Sequence, residues 1–224
     1  MELNIIFEDR DIILCHKMAG IATQTAKLGQ RDMVSEIKNY LAQKDKNKRG
    51  EPYVGVIHRL DQPVEGLLLF AKTKEAAKEL SAQVEKHVVK KYYLATVCGK
   101  LREKEGVLVD YLIKDGRSNT SRIGKKGDKE AKLSKLSYQV IEEKEEVTAI
   151  EILLETGRHH QIRVQFSNLG HPLLGDLKYG TEKSEEISKK LGINDVSLCA
   201  YKLGFNHPST RKKMEFTIKP TEKL

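Results

Sequence analysis

The chain has 224 residues, which is enough for one large domain with a substantial core. Forty Lys and Arg outweigh 32 Asp and Glu, and the net charge of +8 favours a polyanionic partner such as a nucleic acid. The apolar runs are too short for a membrane-spanning helix, and the early acidic residues do not fit a signal peptide. Cys15, Cys98 and Cys199 are far apart and include no CxxC pair, which is typical of reduced thiols. We therefore expect a cytoplasmic protein.

Strands and helices alternate along the first part of the sequence. Apolar runs predict four strands, at residues 3–7, 11–17, 53–57 and 66–73. Helical spacing predicts two helices, one carrying Val34, Ile37 and Leu41 and one carrying Ala77, Leu80, Val84 and Val88.

The remaining sequence is rich in strands. These are predicted at residues 91–97, 106–113, 136–143, 147–155, 196–205 and 213–219, with a basic loop at 114–132. Ile162, Phe166 and Leu169 form a helical stripe that ends at Gly170, and residues 184–191 predict a further helix. No repeat or linker marks a second domain. The pattern predicts one α+β domain over residues 1–224, with a mixed, mostly antiparallel central sheet flanked by helices and loops.

The stretch VIHRLDQPVEG places His58, Arg59 and Asp61 between two apolar runs. Buried charges are costly unless they are paired, so Asp61 needs a cation. Arg59, Arg158 and Arg163 are the candidates. A partly desolvated carboxylate held ionised by a guanidinium is a preset nucleophile or base, but the same ion pair could simply join two segments. Spacing does not decide between these two interpretations.

A second polar cluster lies at the start of the predicted helix at Gly170. It contains Arg158, His159, His160, Gln161 and Arg163. A strand-to-helix corner with unpaired N–H groups favours anions such as phosphates, although a solvated helix start would have the same composition. Adjacent histidines point apart, and no HExxH or Cys–His spacing is present, so the pattern does not predict a metal site.

Three segments together carry a resemblance to a known family: HRLDQPVEGLLLFAKT, KKYYLATVCGK and TGRHHQIRVQFSNLGHPLLGDLKYG. In this order and spacing, they make the chain similar to the RluA-type RNA pseudouridine synthases from about Leu3 to the C-terminus. The resemblance implies the pseudouridine synthase fold, with an active-site cleft across the sheet. It also implies conversion of uridine in RNA to pseudouridine without a cofactor or metal: the base is detached from the ribose, turned, and rejoined through carbon 5.

The resemblance gives several residues a role. Asp61, Arg163 and Tyr93 are the expected catalytic residues: Asp61 acts on the nucleotide, Arg163 pairs with Asp61, and Tyr93 packs against the flipped base. Arg59 enters the RNA stack that the uridine leaves. Extruding a base costs on the order of a few kcal/mol, and an inserted Arg and a stacking Tyr offset part of this. Whether Asp61 attacks the ribose, attacks the base or assists elimination stays open.

We expect RNA contacts from both clusters and from the basic loop. The candidate RNA-binding residues are His58, Arg59, Arg158, His160, Gln161, Arg117, Arg122, Lys125 and Lys126. The loop could equally be a solvated tip. We expect no separate N-terminal RNA-binding module, so recognition is expected from the catalytic domain of a monomer.

The sequence departs from the usual family pattern at four positions. Val64 and Glu65 stand where Thr-Ser is usual, Gln165 where His is usual, and Met18 where Pro is frequent. A second carboxylate facing Asp61 could raise its pKa. We expect Glu65 to point to solvent, and the protein to be active with an altered substrate preference.

Three function classes follow. The first is an isomerase acting on specific uridines in structured ribosomal or transfer RNA. The second is an inactive RNA-binding or ribosome-assembly factor that uses the same cleft, against which the intact Asp61, Tyr93 and Arg163 argue. The third is a phosphate-ester hydrolase using the His-rich corner, against which the lack of metal ligands and of a nucleophile elbow argues.

Overall fold

The computed structural model describes residues 3–25, 29–45 and 50–221. It is an α+β protein, as predicted. Its elements in chain order are β1 (Ile5–Glu8), β2 (Ile12–Lys17), α1 (Met33–Lys44), β3 (Gly55–Val56), β4 (Glu65–Ala71), α2 (Lys74–Glu85), β5 (Lys90–Cys98), β6 (Glu105–Asp115), β7 (Thr120–Gly124), β8 (Lys132–Glu143), β9 (Val147–Leu154), α3 (Gln161–Asn168), α4 (Glu182–Leu191), β10 (Leu198–Asn206) and β11 (Lys213–Thr217). No helix in the described part is long and apolar enough to cross a bilayer.

The chain divides into two compact units. The first contains Met1–Val89 and Tyr201–Lys219, and the second contains Lys90–Ala200 and Pro220–Leu224. Strand β10 therefore begins in the second unit and ends in the first.

The first unit is organised around two fully buried strands. All residues of β2 and β4 are buried, and most of each strand is a continuous apolar run rather than an alternating one. They pair antiparallel with each other, β1 pairs with β2, β3 with β4, and β11 with β10. Helix α2 contributes Ala76 and Leu80 to the same core, and the side chain of Thr73 caps the helix N-terminus.

The second unit is an antiparallel sheet in the order β5-β9-β8-β6-β7. Strand β9 alternates strictly between half-buried and buried residues, as expected for a sheet with one covered face. Phe166 of α3 is fully buried and meets the edge of the Tyr138 ring, with the ring centroids 5.5 Å apart. Helix α3 thus covers the inner face of the sheet.

Three predicted elements differ from those observed. The second helix was expected to include Val88, but it ends at Glu85 because His87 adopts a left-handed backbone, with φ of 55°, and Val88 is exposed. The predicted basic loop contains a strand, β7, which forms a hairpin with β6. The strand predicted at 53–57 is reduced to β3. The predicted end of α3 is confirmed, since Gly170 follows the C-cap residue with φ of +86°.

Candidate active site

Asp61 lies in the loop between β3 and β4. Both backbone polar groups of the preceding residue, Leu60, form hydrogen bonds with Thr23. The hydroxyl of Thr23 donates to the Leu60 carbonyl (2.9 Å) and accepts from the Leu60 N–H (3.2 Å). The N–H of Val64 donates to the carbonyl of Asp61 over 3.0 Å and closes a tight turn. The Asp61 side chain is half-buried. The backbone that carries this carboxylate is therefore fixed on its N-terminal side.

A buried lysine fixes the loop on the other side of the aspartate. Lys17 is fully buried, and its ammonium donates to the carbonyls of Met18 (3.0 Å), Ile21 (2.8 Å) and Gln62 (3.0 Å). Gly20 adds two bonds to Gln62: its N–H donates to the Gln62 carbonyl (2.9 Å), and its carbonyl accepts from the Gln62 amide (3.0 Å). Three acceptors match the three N–H groups of an ammonium, so the burial of this charge is compensated.

The expectation that Glu65 points to solvent is wrong. Glu65 is only 8% exposed, and its Oε1 lies 2.7 Å from Nε2 of His16 on the neighbouring strand β2. Asn4 donates its amide N–H to Nδ1 of the same imidazole (3.3 Å), so Nε2 carries the hydrogen that Glu65 accepts. This donor compensates for burying the carboxylate, and no local pattern indicated it because His16 is 49 residues away.

His58 and Arg59 have different environments within the loop. Nε2 of His58 accepts from the N–H of Leu69 in β4 over 3.3 Å, which anchors the ring to the sheet. Arg59 is exposed. A contact of either residue with RNA remains a prediction.

Tyr93 lies in the centre of β5, opposite Ile152 of β9, and is 5% exposed. It shares one face of the strand with other buried residues, Lys91 and Ala95. Its stacking on a base remains a prediction.

Arg163, on α3, is held by a carboxylate that the sequence analysis did not identify. Its Nε and Nη2 donate to Oδ2 and Oδ1 of Asp176 over 2.7 and 2.6 Å, and both side chains are buried. Oδ1 of Asp176 also accepts from the N–H groups of Lys178 (2.9 Å) and Tyr179 (3.2 Å). This bidentate pair fixes the plane of the guanidinium. The pairing of Arg163 with Asp61 remains a prediction.

Tyr179 connects Arg163 to the β6–β7 hairpin. Its ring lies 5.1 Å from the guanidinium carbon of Arg163. Its hydroxyl accepts from the N–H of Ser121 in β7 (2.7 Å) and lies 2.7 Å from Nδ1 of His160. One aromatic side chain therefore links a hairpin strand to the first turn of α3.

The expectation that the adjacent histidines point apart is wrong: the His159 and His160 rings stack on each other, with centroids 3.7 Å apart. His159 bonds to the hairpin, through Ser121 (2.9 Å) and Asn119 (3.1 Å). His160 precedes α3 with a left-handed φ of 54° and is 7% exposed. Burial, followed by the nearby charge of Arg163, lowers the pKa of His160 to about 3, so the ring is neutral at physiological pH.

Gln161 and Gln165 are structural members of α3. The Gln161 amide oxygen accepts from Thr156 Oγ1 (2.8 Å) and from the Arg158 N–H (3.0 Å), and its NH₂ donates to Gln165 Oε1 (3.0 Å). Gln165, which replaces the usual histidine of the family, donates in turn to Asp110 Oδ2 (2.7 Å). Gln161 is 3% exposed, so its observed bonds brace the corner, and direct RNA contact remains a prediction.

The predicted basic residues do not form one cluster. Arg117 lies in the β6–β7 turn, Arg122 lies on β7, and Lys125 and Lys126 follow β7. All four are exposed. Strand β7 is five residues long, so an RNA backbone that contacts basic residues at both of its ends would run along the hairpin.

Four residues with clear structural roles escaped sequence reasoning: Lys17, Thr23, Asp176 and Tyr179. The requirement that a buried guanidinium be neutralised could have indicated Asp176, which lies in the same family segment, residues 156–180, as Arg163. Nothing comparable marks Lys17 or Thr23. Among the described residues, no three His, Cys, Asp or Glu side chains gather in a way that could hold a metal ion.

The profile of the RNA pseudouridylate synthase family matches residues 11–168 of this chain. The chain therefore belongs to the RNA pseudouridylate synthase family, of the RluA type that its motifs predict. Its relatives include the ribosomal large subunit pseudouridine synthase D of Nitrosomonas europaea, 36% identical over 92% of the chain and 58% of the relative. Another relative is the tRNA pseudouridine synthase C of Haemophilus ducreyi, 32% identical over 96% of the chain and 89% of the relative.

The fold agrees with this assignment. The structure of human RNA pseudouridylate synthase domain containing 1 superimposes with a TM-score of 0.76 at 25% identity, covering 98% of this chain and 84% of the human one. The chain spans less than two thirds of the length of some curated relatives, including the Nitrosomonas protein.

Proposed function

We propose that this protein converts specific uridines in structured ribosomal or transfer RNA to pseudouridine, with Asp61 as the catalytic group and without a cofactor. The observation that carries the proposal is the bracing of the Asp61 loop: Thr23 holds Leu60, and Lys17 holds Gln62. Catalysis benefits when a reacting group is held in place before the substrate arrives. The loop meets this requirement through five hydrogen bonds, three with the buried Thr23 and Lys17 and two with the exposed Gly20.

Arg163 is assigned the task of keeping Asp61 ionised at neutral pH. Asp176 uses Nε and Nη2 of the guanidinium, so Nη1 lies outside that pair and can serve a second carboxylate. A guanidinium shared between two carboxylates stabilises each of them less than an exclusive partner would. Asp61 would then stay charged and still be reactive.

The remaining roles concern the RNA. Tyr93 is proposed to stack on the extruded uracil and Arg59 to fill the gap that the base leaves. The net charge of +8 and the exposed Arg117, Arg122, Lys125 and Lys126 suit a phosphate backbone. The names of the Nitrosomonas and Haemophilus relatives support ribosomal or transfer RNA as the substrate class.

The test is Asp61→Asn, with Asp195→Asn at an exposed loop position as the matched control. Pseudouridine formation is measured under single-turnover conditions on RNA whose target sites have been found by mapping pseudouridines in cells with and without the gene. Asp61→Asn should bind RNA and form no detectable pseudouridine, because an amide is neither a nucleophile nor a base. The control should match the unsubstituted protein.

Three results would contradict the proposal. Turnover by Asp61→Asn within about tenfold of wild type, equal to ~1.4 kcal/mol, is too small a loss for the catalytic group. A wild-type protein that binds RNA without modifying it would favour the inactive RNA-binding factor. Activity that is lost in EDTA and restored by zinc or magnesium would favour the metal-dependent hydrolase.

A further inference from the structure

Lys91, at the start of β5, has a largely buried side chain, and no described acidic group neutralises its ammonium. The residue is 9% exposed, whereas the adjacent Lys90 on the opposite face is exposed. In the part of the chain that the structure describes, the Lys91 ammonium has no carboxylate or carbonyl partner, and burial alone lowers its pKa. Glu155, the acidic residue nearest in sequence to the β9–α3 corner, pairs with Lys135 over 2.9 Å. A buried cation of this kind is unfavourable unless an anion joins it.

The ammonium lies immediately beneath exposed backbone. Its Nζ is 3.2 Å from the point that a Cβ would occupy on Gly157, in the connection between β9 and α3. Gly157 is exposed and has no side chain, so nothing of its own covers the end of Lys91. An anion arriving at Gly157 could therefore reach the ammonium.

A second cation adjoins this point. Arg158, the next residue, is exposed, and its Nε donates to the carbonyl of Leu133 over 3.0 Å. This bond restrains the guanidinium and leaves the Nη groups outside it. A fixed guanidinium beside an ammonium suits the several acceptor oxygens of a phosphate.

The position also fits a bound nucleotide. Lys91 and Tyr93 are two residues apart on β5 and both point to its buried face, which places them about 6.5–7 Å apart along the strand. This spacing is comparable with the separation between a base and its own phosphate. A base on Tyr93 would thus bring a phosphate within reach of Lys91.

We propose that Lys91, Gly157 and Arg158 form a subsite for a phosphodiester group of the RNA, next to the base bound at Tyr93. The inference rests on the proposed function, because it takes the RNA substrate as the source of the anion. Binding the phosphate supplies the counter-charge that Lys91 lacks in the protein alone. The contact with the phosphate thereby fixes the position of the target nucleotide in the site.

The test measures the salt dependence of binding for a short uridine-containing single-stranded RNA. Lys91→Met keeps the length of the side chain and removes one cation, so it should weaken binding. It should also reduce the slope of log K against log salt by about 0.7, the contribution of one phosphate on a single strand. Lys90→Met is the matched control and should keep the wild-type slope. Replacing the phosphates singly by methylphosphonates should identify one position that weakens wild-type binding and has no effect on Lys91→Met.

Folding is checked by thermal unfolding without RNA. Lys91→Met should unfold at the same or a higher temperature, because it removes a buried charge that the protein does not pair. Gly157→Ala keeps all charges but crowds the ammonium, and it should also weaken RNA binding. This second variant keeps the test decisive if Lys91→Met fails to fold.

An unchanged salt slope in folded Lys91→Met, or an equal loss in Lys90→Met, would overturn the subsite. Pseudouridine formation by the wild-type protein is measured in parallel. Its absence would overturn the proposed function, whereas an active wild type together with an unchanged slope would overturn the subsite alone.

Discussion

The two compact units bury their cations in different ways. In the first, the Lys17 ammonium donates to three backbone carbonyls, which joins the chain segments below the Asp61 loop. In the second, a carboxylate, Asp176, neutralises Arg163, and Lys91 receives neither kind of partner from the described chain. Carbonyls order a loop without changing its net charge, whereas a carboxylate orders a side chain and cancels its charge. A cation left with neither is suited to an external anion.

The largest expected effect comes from breaking the carboxylate pair. Asp176→Asn should lower the free energy of unfolding by about 3–5 kcal/mol, because it leaves the guanidinium of Arg163 buried without a counter-charge. Urea unfolding at neutral pH measures this, with Asp195→Asn as the exposed control. A loss below about 1 kcal/mol would mean that Asp176 is not the main partner of Arg163.

The same substitution at two buried lysines sharpens the contrast. Lys17→Met should destabilise the protein by about 2–4 kcal/mol, since three carbonyls lose their donor. Lys91→Met should be neutral or stabilising, since no protein group loses a partner. Urea unfolding of both variants compares them directly. If both are destabilised equally, the distinction between a compensated and an uncompensated lysine fails.

A smaller change separates loop order from RNA affinity. Thr23→Val removes both hydrogen bonds to Leu60 and should reduce stability by about 1–2 kcal/mol. Turnover should fall more than RNA affinity does, because the loop holds Asp61 rather than the RNA backbone. Single-turnover rates and dissociation constants are compared with those of Thr210→Val at an exposed turn. An equal fall in both quantities would contradict the bracing role.

The smallest effect depends on pH. The pKa of His160 is lowered from 6.5 to about 3 in the folded protein, so the unfolded chain takes up the proton first as the pH falls. The stability that neutral His160 contributes is complete above pH 6.5 and is lost as the pH falls towards 3. His160→Asn tolerates the left-handed backbone and cannot titrate.

The stability difference between wild type and His160→Asn should therefore shift by about 1 kcal/mol against the wild type between pH 6.5 and pH 5, after allowance for solvent screening. Urea unfolding at the two pH values measures it. A difference that does not change with pH would show that His160 is solvated in the folded state.

Local signals explain what the sequence predicted well. The end of α3 was predictable because Gly170 adopts the left-handed backbone conformation that is unfavourable for residues with a Cβ. The apolar runs within β2 and β4 likewise identify buried strands. The motif order likewise predicted the family, which the profile match confirms. In each case a few neighbouring residues hold the information.

The features that the sequence did not predict depend mainly on which side chains pair with each other in the folded chain. The buried Glu65 is bonded by His16 of the neighbouring strand, and Arg163 is oriented by Asp176 thirteen residues away. Lys17 ends the strand predicted at residues 11–17, and nothing in that pattern indicated that its ammonium is fully buried. Strand β7 escaped because its residues are mostly polar. Such contacts depend on how strands and loops meet, which spacing along one chain does not encode.

The division of the chain has a consequence for the order of synthesis. The named strands and helices between Lys90 and Ala200 are contiguous, whereas the first unit needs Tyr201–Lys219 to complete β10 and β11. His207 bonds to Asp9 over 2.7 Å, and Phe216 packs against Phe7 with ring centroids 5.4 Å apart. The N-terminal residues of this unit therefore make these contacts only after its C-terminal residues have been synthesised. During translation, the second unit can therefore close while the loop that carries Asp61 still lacks its final strands. A chain that ends at Ala200 would contain the elements around Arg163 and would lack the final strands of the unit that carries Asp61.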